Sequence, residues 1–235
     1  MSELKLFCDL VSQPCRAIVL LLEINNIPHQ REVISLLKGE HRKHEELLAA
    51  NPNKMLPVIK DGTFVIYESA TILRYLCSSR DLPDHWYPKD LKKRVLVDQF
   101  FDWFPTNLRK GASGWFLNEV LLKKPSTDPL IEQSKETLRK ALTIFNDFTL
   151  RDSKFIAGEE ISVADIQAVC ELTQHWAIGI NIYTGYANVE RWIADCTKEL
   201  QPHFNNVYVE IYKMRDLGVL GTGIQPLNYT PKFNN

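Results

Sequence analysis

Residues 53–76 read NKMLPVIKDGTFVIYESATILRYL, and three local signals follow one another in them at short spacing. Val58-Ile59 and Phe64-Val65-Ile66 are β-branched or aromatic runs separated by Lys60-Asp61-Gly62-Thr63, and an Asp-Gly pair between two such runs marks a tight hairpin. Pro57 opens the first run, where it removes one amide donor from a strand start, a place at which a Leu-Pro bond can be held cis. Behind the second run Glu68-Ser69 precedes residues 70–76, where the apolar period lengthens from two to about 3.6, so Ser69 reads as the N-cap of a helix. Two chemical features result. One is a backbone edge at Leu56. The other is a helix mouth whose first amides lack partners and carry partial positive charge, which suits a carboxylate. Set close together, they would grip a small peptide by its main chain and its carboxylate.

Upstream, Leu4, Leu6 and Cys8 alternate with Lys5 and Phe7 as a first strand, and residues 9–13 form a turn. Pro14 fits the first position of a helix that runs through Arg16 to about residue 23, with Ala17, Ile18, Leu21 and Leu22 as its buried stripe. Asn25-Asn26 stops it, and residues 31–34 form a second strand, parallel to the first after its crossover. A helical link over residues 40–48 leads back to the hairpin. The order βαβ, then ββα, predicts an α/β thioredoxin-like domain over residues 1–81, a mixed four-strand sheet with helices on both faces. In such folds the functional residue stands between the first strand and first helix, here Ser12-Gln13-Pro14-Cys15. With SxxC in place of CxxC the first thiol is missing, and a dithiol cycle is excluded.

Downstream, residues 82–89 are a proline-bracketed linker, and beyond them strand signals fade into an all-α domain over residues 90–235. Leu91, Val95, Phe100 and Phe101 start one long helix that Pro105 is expected to kink. Leu138, Leu142, Phe145 and Phe148 mark a second at helical spacing. Ser162-Val163-Ala164-Asp165 reads as an Asp version of the capping box, with Ile161 and Ile166 as a hydrophobic staple, and nucleates a buried central helix. Further helices are expected over residues 189–200 and 204–216, and the tail from Gly218 reads as irregular.

Composition narrows the function. A chain of 235 residues, 45% apolar and 24% charged, is ordinary for a soluble globular protein. Its 28 basic and 29 acidic residues are spread evenly, leaving no footprint for nucleic acid or an anionic membrane. The longest aliphatic run, residues 17–22, is far too short to span a bilayer and the start carries no charged-then-apolar leader, so the expectation is a cytoplasmic protein. Cys8, Cys15, Cys77, Cys170 and Cys196 are odd in number and scattered, which favours reduced thiols. His41 and His44, the one close histidine pair, lack companions for a zinc shell, and no metal is expected.

The assembled features, namely Ser12 after the first strand, Leu56-Pro57, Glu68-Ser69, the linker and Ser162-Val163-Ala164-Asp165, resemble the cytosolic glutathione transferases over essentially the whole chain. DLVSQPCRA, LLKGEH, LPVIKDG, ESATILRYL and PDHWYPKD resemble the theta class in wording and spacing. The resemblance implies a two-domain homodimer that conjugates the thiolate of glutathione, its co-substrate, to small hydrophobic electrophiles in detoxification, with no other cofactor. Alkyl halides and organic hydroperoxides would be among those electrophiles. Carried over by position, Ser12 would donate a hydrogen bond to the glutathione sulfur. A charge-assisted bond is worth about 1.5–3 kcal/mol, enough for one to two pKa units at about 1.4 kcal/mol each. His41 would hold the glycyl end, Leu56 the cysteinyl main chain, Glu68 the γ-glutamyl amine, and Ser69 with the helix amides its carboxylate. Lys54 would add a contact, but it stands one position before the family's usual lysine, which is Met55 here. Arg109 aligns with an arginine that faces the sulfur, although it could instead pair with a core acid. Trp115, Phe116 and Trp176 are candidate walls of the electrophile pocket, against the alternative that aromatics at helical spacing are core. The theta lid helix has no counterpart in the irregular tail. Two other readings are a non-catalytic ligand carrier or interaction protein, and a thiol transferase working through Cys15.

Overall fold

In the computed structural model, which describes residues 3–217, the alternating run becomes β1 (Leu4–Cys8), followed by α1 (Gln13–Ile24) and β2 (Gln30–Val33). After a 3-10 turn (Glu40–Arg42) come α2 (Glu45–Ala50), β3 (Val58–Asp61), β4 (Phe64–Tyr67) and α3 (Ser69–Ser79). The sheet order is β2-β1-β3-β4, with β2 parallel to β1 and the two remaining pairs antiparallel. This is the mixed four-strand sheet that the element order implied. The hairpin is tighter than its four-residue signal, because Lys60 and Asp61 stay in β3 and leave Gly62-Thr63 as the loop. Gly62 adopts φ +61°, a left-handed conformation that glycine enters without a Cβ penalty. Ser69 is the first residue of α3 rather than its cap; Glu68 holds the cap position.

In the helical domain α4 (Leu91–Trp103) runs through a π-helical turn (Pro105–Arg109) into α5 (Lys110–Trp115) and a second π turn (Phe116–Leu121), as one rod. Pro105 has no amide to give the α-helical ladder. The ladder widens instead, the Arg109 amide reaching the Phe104 carbonyl at 3.0 Å. Leu91 and Val95 face solvent, and the buried positions are Val97, Phe100 and Phe101. α6 (Pro129–Ile144) ends in another π turn (Phe145–Thr149), which shifts the helical phase and turns Phe148 outward, 71% exposed. α7 (Val163–Leu172), α8 (Ala187–Glu199) and α9 (His203–Asp216) complete the described chain. The expected irregular tail and the missing lid concern residues outside it.

The capping box forms at α7. Asp165 Oδ2 accepts from the Ser162 amide (2.8 Å) and hydroxyl (2.7 Å), while Oδ1 accepts from the Ile156 amide (2.9 Å) and Trp192 Nε1 (2.8 Å). The linker is pinned at its middle to both sides: Trp86 is buried and its Nε1 donates to Asn25 Oδ1, and His85 Nδ1 lies 2.6 Å from the Ile161 carbonyl. α1 packs on α3 of its own domain and on α7 and α9 of the other. All of residues 14–22 are therefore buried, where the sequence pattern alone showed one stripe.

Candidate active site

Strand register sets the site's frame. Phe7 pairs with Val58, so Pro57 stands level with Cys8, at the end of β1 from which the Ser12 loop leaves. Val58 pairs with Tyr67, so Glu68-Ser69 lies one strand further along the same edge. With strands about 4.8 Å apart, the Ser12 loop, Leu56-Pro57 and the start of α3 spread over roughly 10 Å, the length of an extended tripeptide at about 3.3 Å per residue. The Leu56-Pro57 bond is cis. Asn51 braces the preceding loop, donating from Nδ2 to the Met55 carbonyl and accepting from the Asn53 amide, both at 3.0 Å. No hydrogen bond among the described residues uses the Leu56 amide or carbonyl.

At the far end of this edge Glu68 sits at φ +71°, which side-chain-bearing residues seldom adopt; such strain costs on the order of 1–3 kcal/mol and clusters at functional sites. The first ladder bond of α3 is Ile72 to the Glu68 carbonyl (2.9 Å). The amides of Ser69, Ala70 and Thr71 have no partner among the described residues, and the Glu68 side chain is exposed. Lys54, at φ +58°, and Met55 are also exposed. His41 lies in the turn after β2, its Nδ1 buried without a hydrogen bond among the described residues.

Ser12 caps α1 through its main chain only: its amide donates to the Asp9 carbonyl (2.9 Å) and its carbonyl accepts from Arg16 (3.1 Å). It is 9% exposed, with its hydroxyl bonded to the Cys15 thiol. Cys15 is fully buried, and burial pushes its thiol up to about 11, outweighing the Ser12 bond. It is therefore a neutral thiol at physiological pH, which removes the basis for a thiol transferase through Cys15. Asp9 braces the loop, Oδ1 accepting from the Val11 amide (3.0 Å) and Oδ2 from Leu36 (2.8 Å).

From the helical domain Arg109 is a third exposed, and its Nη1 is 2.5 Å from Oε2 of the fully buried Glu171. The other Glu171 oxygen accepts from Ser113 Oγ (2.5 Å), and Ser113 Oγ accepts from Gln13 Nε2 (3.1 Å). This chain runs from the residue beside Ser12 to Arg109 across the domain boundary. Arg109 thus takes the core-acid alternative for at least one of its nitrogens. Phe116 and Trp176 are core: Phe116 packs edge-on against His175 (5.3 Å), and Trp176 sits among Phe204 and Tyr208. Trp115, half-buried, packs against His175 (4.8 Å) and donates its Nε1 to Glu119. Burial alone holds His175 down at about 3, and neither ring nitrogen has a hydrogen-bond partner among the described residues. Two cavities, of about 600 and 430 Å³, open elsewhere, at the far end of β1 and between α4 and the end of α6.

Ser113 and Glu171 were not singled out in the sequence, and Gln13 was marked only as part of the Ser12 turn. The signal for Glu171 was present: beyond the capping-box Asp165, it is an acid in the mostly apolar helix VADIQAVCEL, where a buried carboxylate must find partners. Arg16, inside the apolar run PCRAIVLLL, carried the same signal. Among the described residues no helix is long and apolar enough to cross a membrane.

Two family profiles match the chain: "Glutathione S-transferase, N-terminal domain" over residues 11–79, and "Glutathione S-transferase, C-terminal domain" over residues 115–199. Glutathione S-transferase T1 of Arabidopsis thaliana is 34% identical over 226 residues, covering 92% of either chain. Glutathione S-transferase theta-2 of Rattus norvegicus is 38% identical over 198 residues, covering 80% of this chain and 78% of that one. The crystal structure of human glutathione transferase theta-2 in complex with glutathione and an unknown ligand superposes with a TM-score of 0.86 at 30% identity, covering 98% of this chain and 95% of that one.

Proposed function

Because the chain belongs to the glutathione S-transferase family, as a theta-like enzyme, we propose that it activates the thiol of glutathione with the Ser12 hydroxyl and conjugates it to small hydrophobic electrophiles. In this reading the tripeptide lies extended along the sheet edge. Its γ-glutamyl carboxylate meets Ser69 and the open amides of α3, and its amine meets Glu68. Its cysteinyl main chain pairs with the free amide and carbonyl of Leu56, and its glycyl end reaches His41, whose buried Nδ1 wants a partner. Lys54 is solvent-exposed beside this edge and contributes charge rather than a fixed contact.

The Ser12 hydroxyl turns from Cys15 to the incoming sulfur. A neutral thiol is a weak partner, so the exchange favours the thiolate, to which a charge-assisted bond contributes about 1.5–3 kcal/mol. The sulfur proton leaves to solvent. The thiolate then attacks the electrophilic carbon, an S–C bond forms, and the leaving group departs with its electron pair. Arg109 faces this step with its charge partly offset by Glu171. The assembly in this reading is a homodimer, and the exposed Leu91 and Val95 along α4 support a further contact there.

The observation that carries the reading is the coincidence on one sheet edge of three things: the Ser12 loop, an unused main-chain pair at Leu56 and an uncapped helix start. Ser12→Ala should leave the fold intact and lower kcat/KM by about tenfold or more. Turnover equal to the parent's would remove Ser12 as the activator.

A further inference from the structure

Beneath the Ser12 loop lies a cation that no function has yet absorbed. Arg16 is fully buried and meets no carboxylate at ion-pair distance among the described residues. Its Nη1 donates to the carbonyls of Leu10 (2.8 Å) and Val11 (3.2 Å), and its Nη2 to the Cys170 carbonyl (3.2 Å) and Gln174 Oε1 (2.5 Å). The guanidinium stands 4.6 Å from the Tyr208 ring centroid, and Nε has no hydrogen-bond partner among the described residues. Gln174 returns to the same loop, its Nε2 donating to the Val11 carbonyl at 3.3 Å. Burying an unpaired charge is costly, and neutral acceptors compensate it only in part. What the arrangement achieves is local: the two carbonyls that Arg16 holds, one of them shared with Gln174 of the helical domain, belong to the two residues before Ser12.

We propose that Arg16 and Gln174 are positioning residues for thiol activation, a clamp through which the helical domain sets the main chain of residues 10–12 and so the aim of the Ser12 hydroxyl. The guanidinium also supplies the site with positive charge. Arg109 does so less, because Glu171 offsets it at 2.5 Å. The titratable groups that face Arg16 are Cys15 on α1, Cys170 on α7 and Tyr208 on α9, and the carboxylates of Asp9 and Glu171 are engaged elsewhere, Asp9 by two loop amides and Glu171 by Arg109. The proposal rests on the reading of Ser12 as activator.

The test is steady-state kinetics together with the pKa of the bound glutathione thiol, read as thiolate absorbance across pH, for Ser12→Ala, Arg16→Met, Arg16→Lys and Gln174→Leu. In Arg16→Met the bound thiol's pKa should rise by about one unit and kcat fall about tenfold, with KM for glutathione within about twofold. Arg16→Lys should recover part of the loss, keeping the charge without the fork. Gln174→Leu, which leaves Arg16 its carbonyl partners, should show a smaller loss of the same kind and decides the matter if Arg16→Met does not fold. Folded Arg16→Met or Gln174→Leu with parental kcat and thiol pKa, beside an impaired Ser12→Ala, overturns the clamp and leaves Ser12 standing. A change confined to KM overturns it too. Full turnover in Ser12→Ala removes both.

Discussion

Cys15 occupies the first turn of α1, where the helix field ordinarily lowers a thiol's pKa, yet burial pushes it up to about 11, and pushes Cys8 and Cys77 up to about 12. All five cysteines are free and buried. At pH 8 a thiol with a pKa of about 11 is about one part in a thousand thiolate, and one of about 12 roughly ten times less, and the side chains are closed to reagent as well. Iodoacetamide should therefore label none of the five in the native protein and all five in denaturant, as intact mass would report. Rapid native labelling at Cys15 would contradict its burial. Position along the helix was readable in the sequence; the packing that reverses its effect was not. The same holds for Ser12, recognisable beside the first helix, while its hydroxyl's contact with Cys15 follows from how closely that turn is packed.

Between elements, the crossing of α5 and α6 has its closest approach at Gly111. A Cβ there would lie 2.5 Å from the Leu138 amide nitrogen and 2.6 Å from its Cα. Neither is a flexible side-chain end, so the helices must separate. Gly111→Ala should lower stability by about 1–3 kcal/mol, read as a fall in thermal midpoint, and should also disturb Ser113, which lies half a turn further along α5. An unchanged midpoint would mean that the crossing is looser than the geometry requires. Helical spacing predicted the existence of α4 and α6, while three of the residues that marked them, Leu91, Val95 and Phe148, face solvent. At Phe148 the period of about 3.6 residues breaks in the π turn that ends α6, and a chain pattern does not reveal where the ladder widens.

For the molecule as a whole, a surface network joins β1, β2, β3 and α2. Lys5 lies 2.6 Å from both Glu32 and Glu46, Lys60 is 2.7 Å from Glu46, and His44 is 2.6 Å from Glu32. Lys5 first, and then Lys60, hold the Glu46 carboxyl down at about 2 from an ordinary 4.5. A carboxylate whose folded pKa is depressed stabilises the fold above its unfolded pKa, and that contribution is lost as pH falls through the folded value. The window is thus pH 4.5 down to about 2. Glu46 is 38% exposed, so screening keeps the contribution below about 1 kcal/mol. Denaturant unfolding across that window should show a shallower loss of stability with acid in Glu46→Gln than in the parent. Parallel slopes would show that the network contributes nothing.

The sequence by itself determined the order of strands and helices, the hairpin at Gly62, the open start of α3, the capping box at Asp165 and the place of the Ser12 loop. Each rests on residues within a few positions of one another, where backbone conformation and i-to-i+4 bonds decide the outcome. Only the tertiary structure decided that Arg109 is held by Glu171, that Arg16 reaches Gln174, and that Phe116 and Trp176 fill the core. The first two are side-chain bonds between residues 62 and 158 positions apart. Arg16 lies on α1, enclosed between the two domains, and Glu171 is buried within the helical domain; in either place a buried polar group must take whatever partner the packing brings within reach.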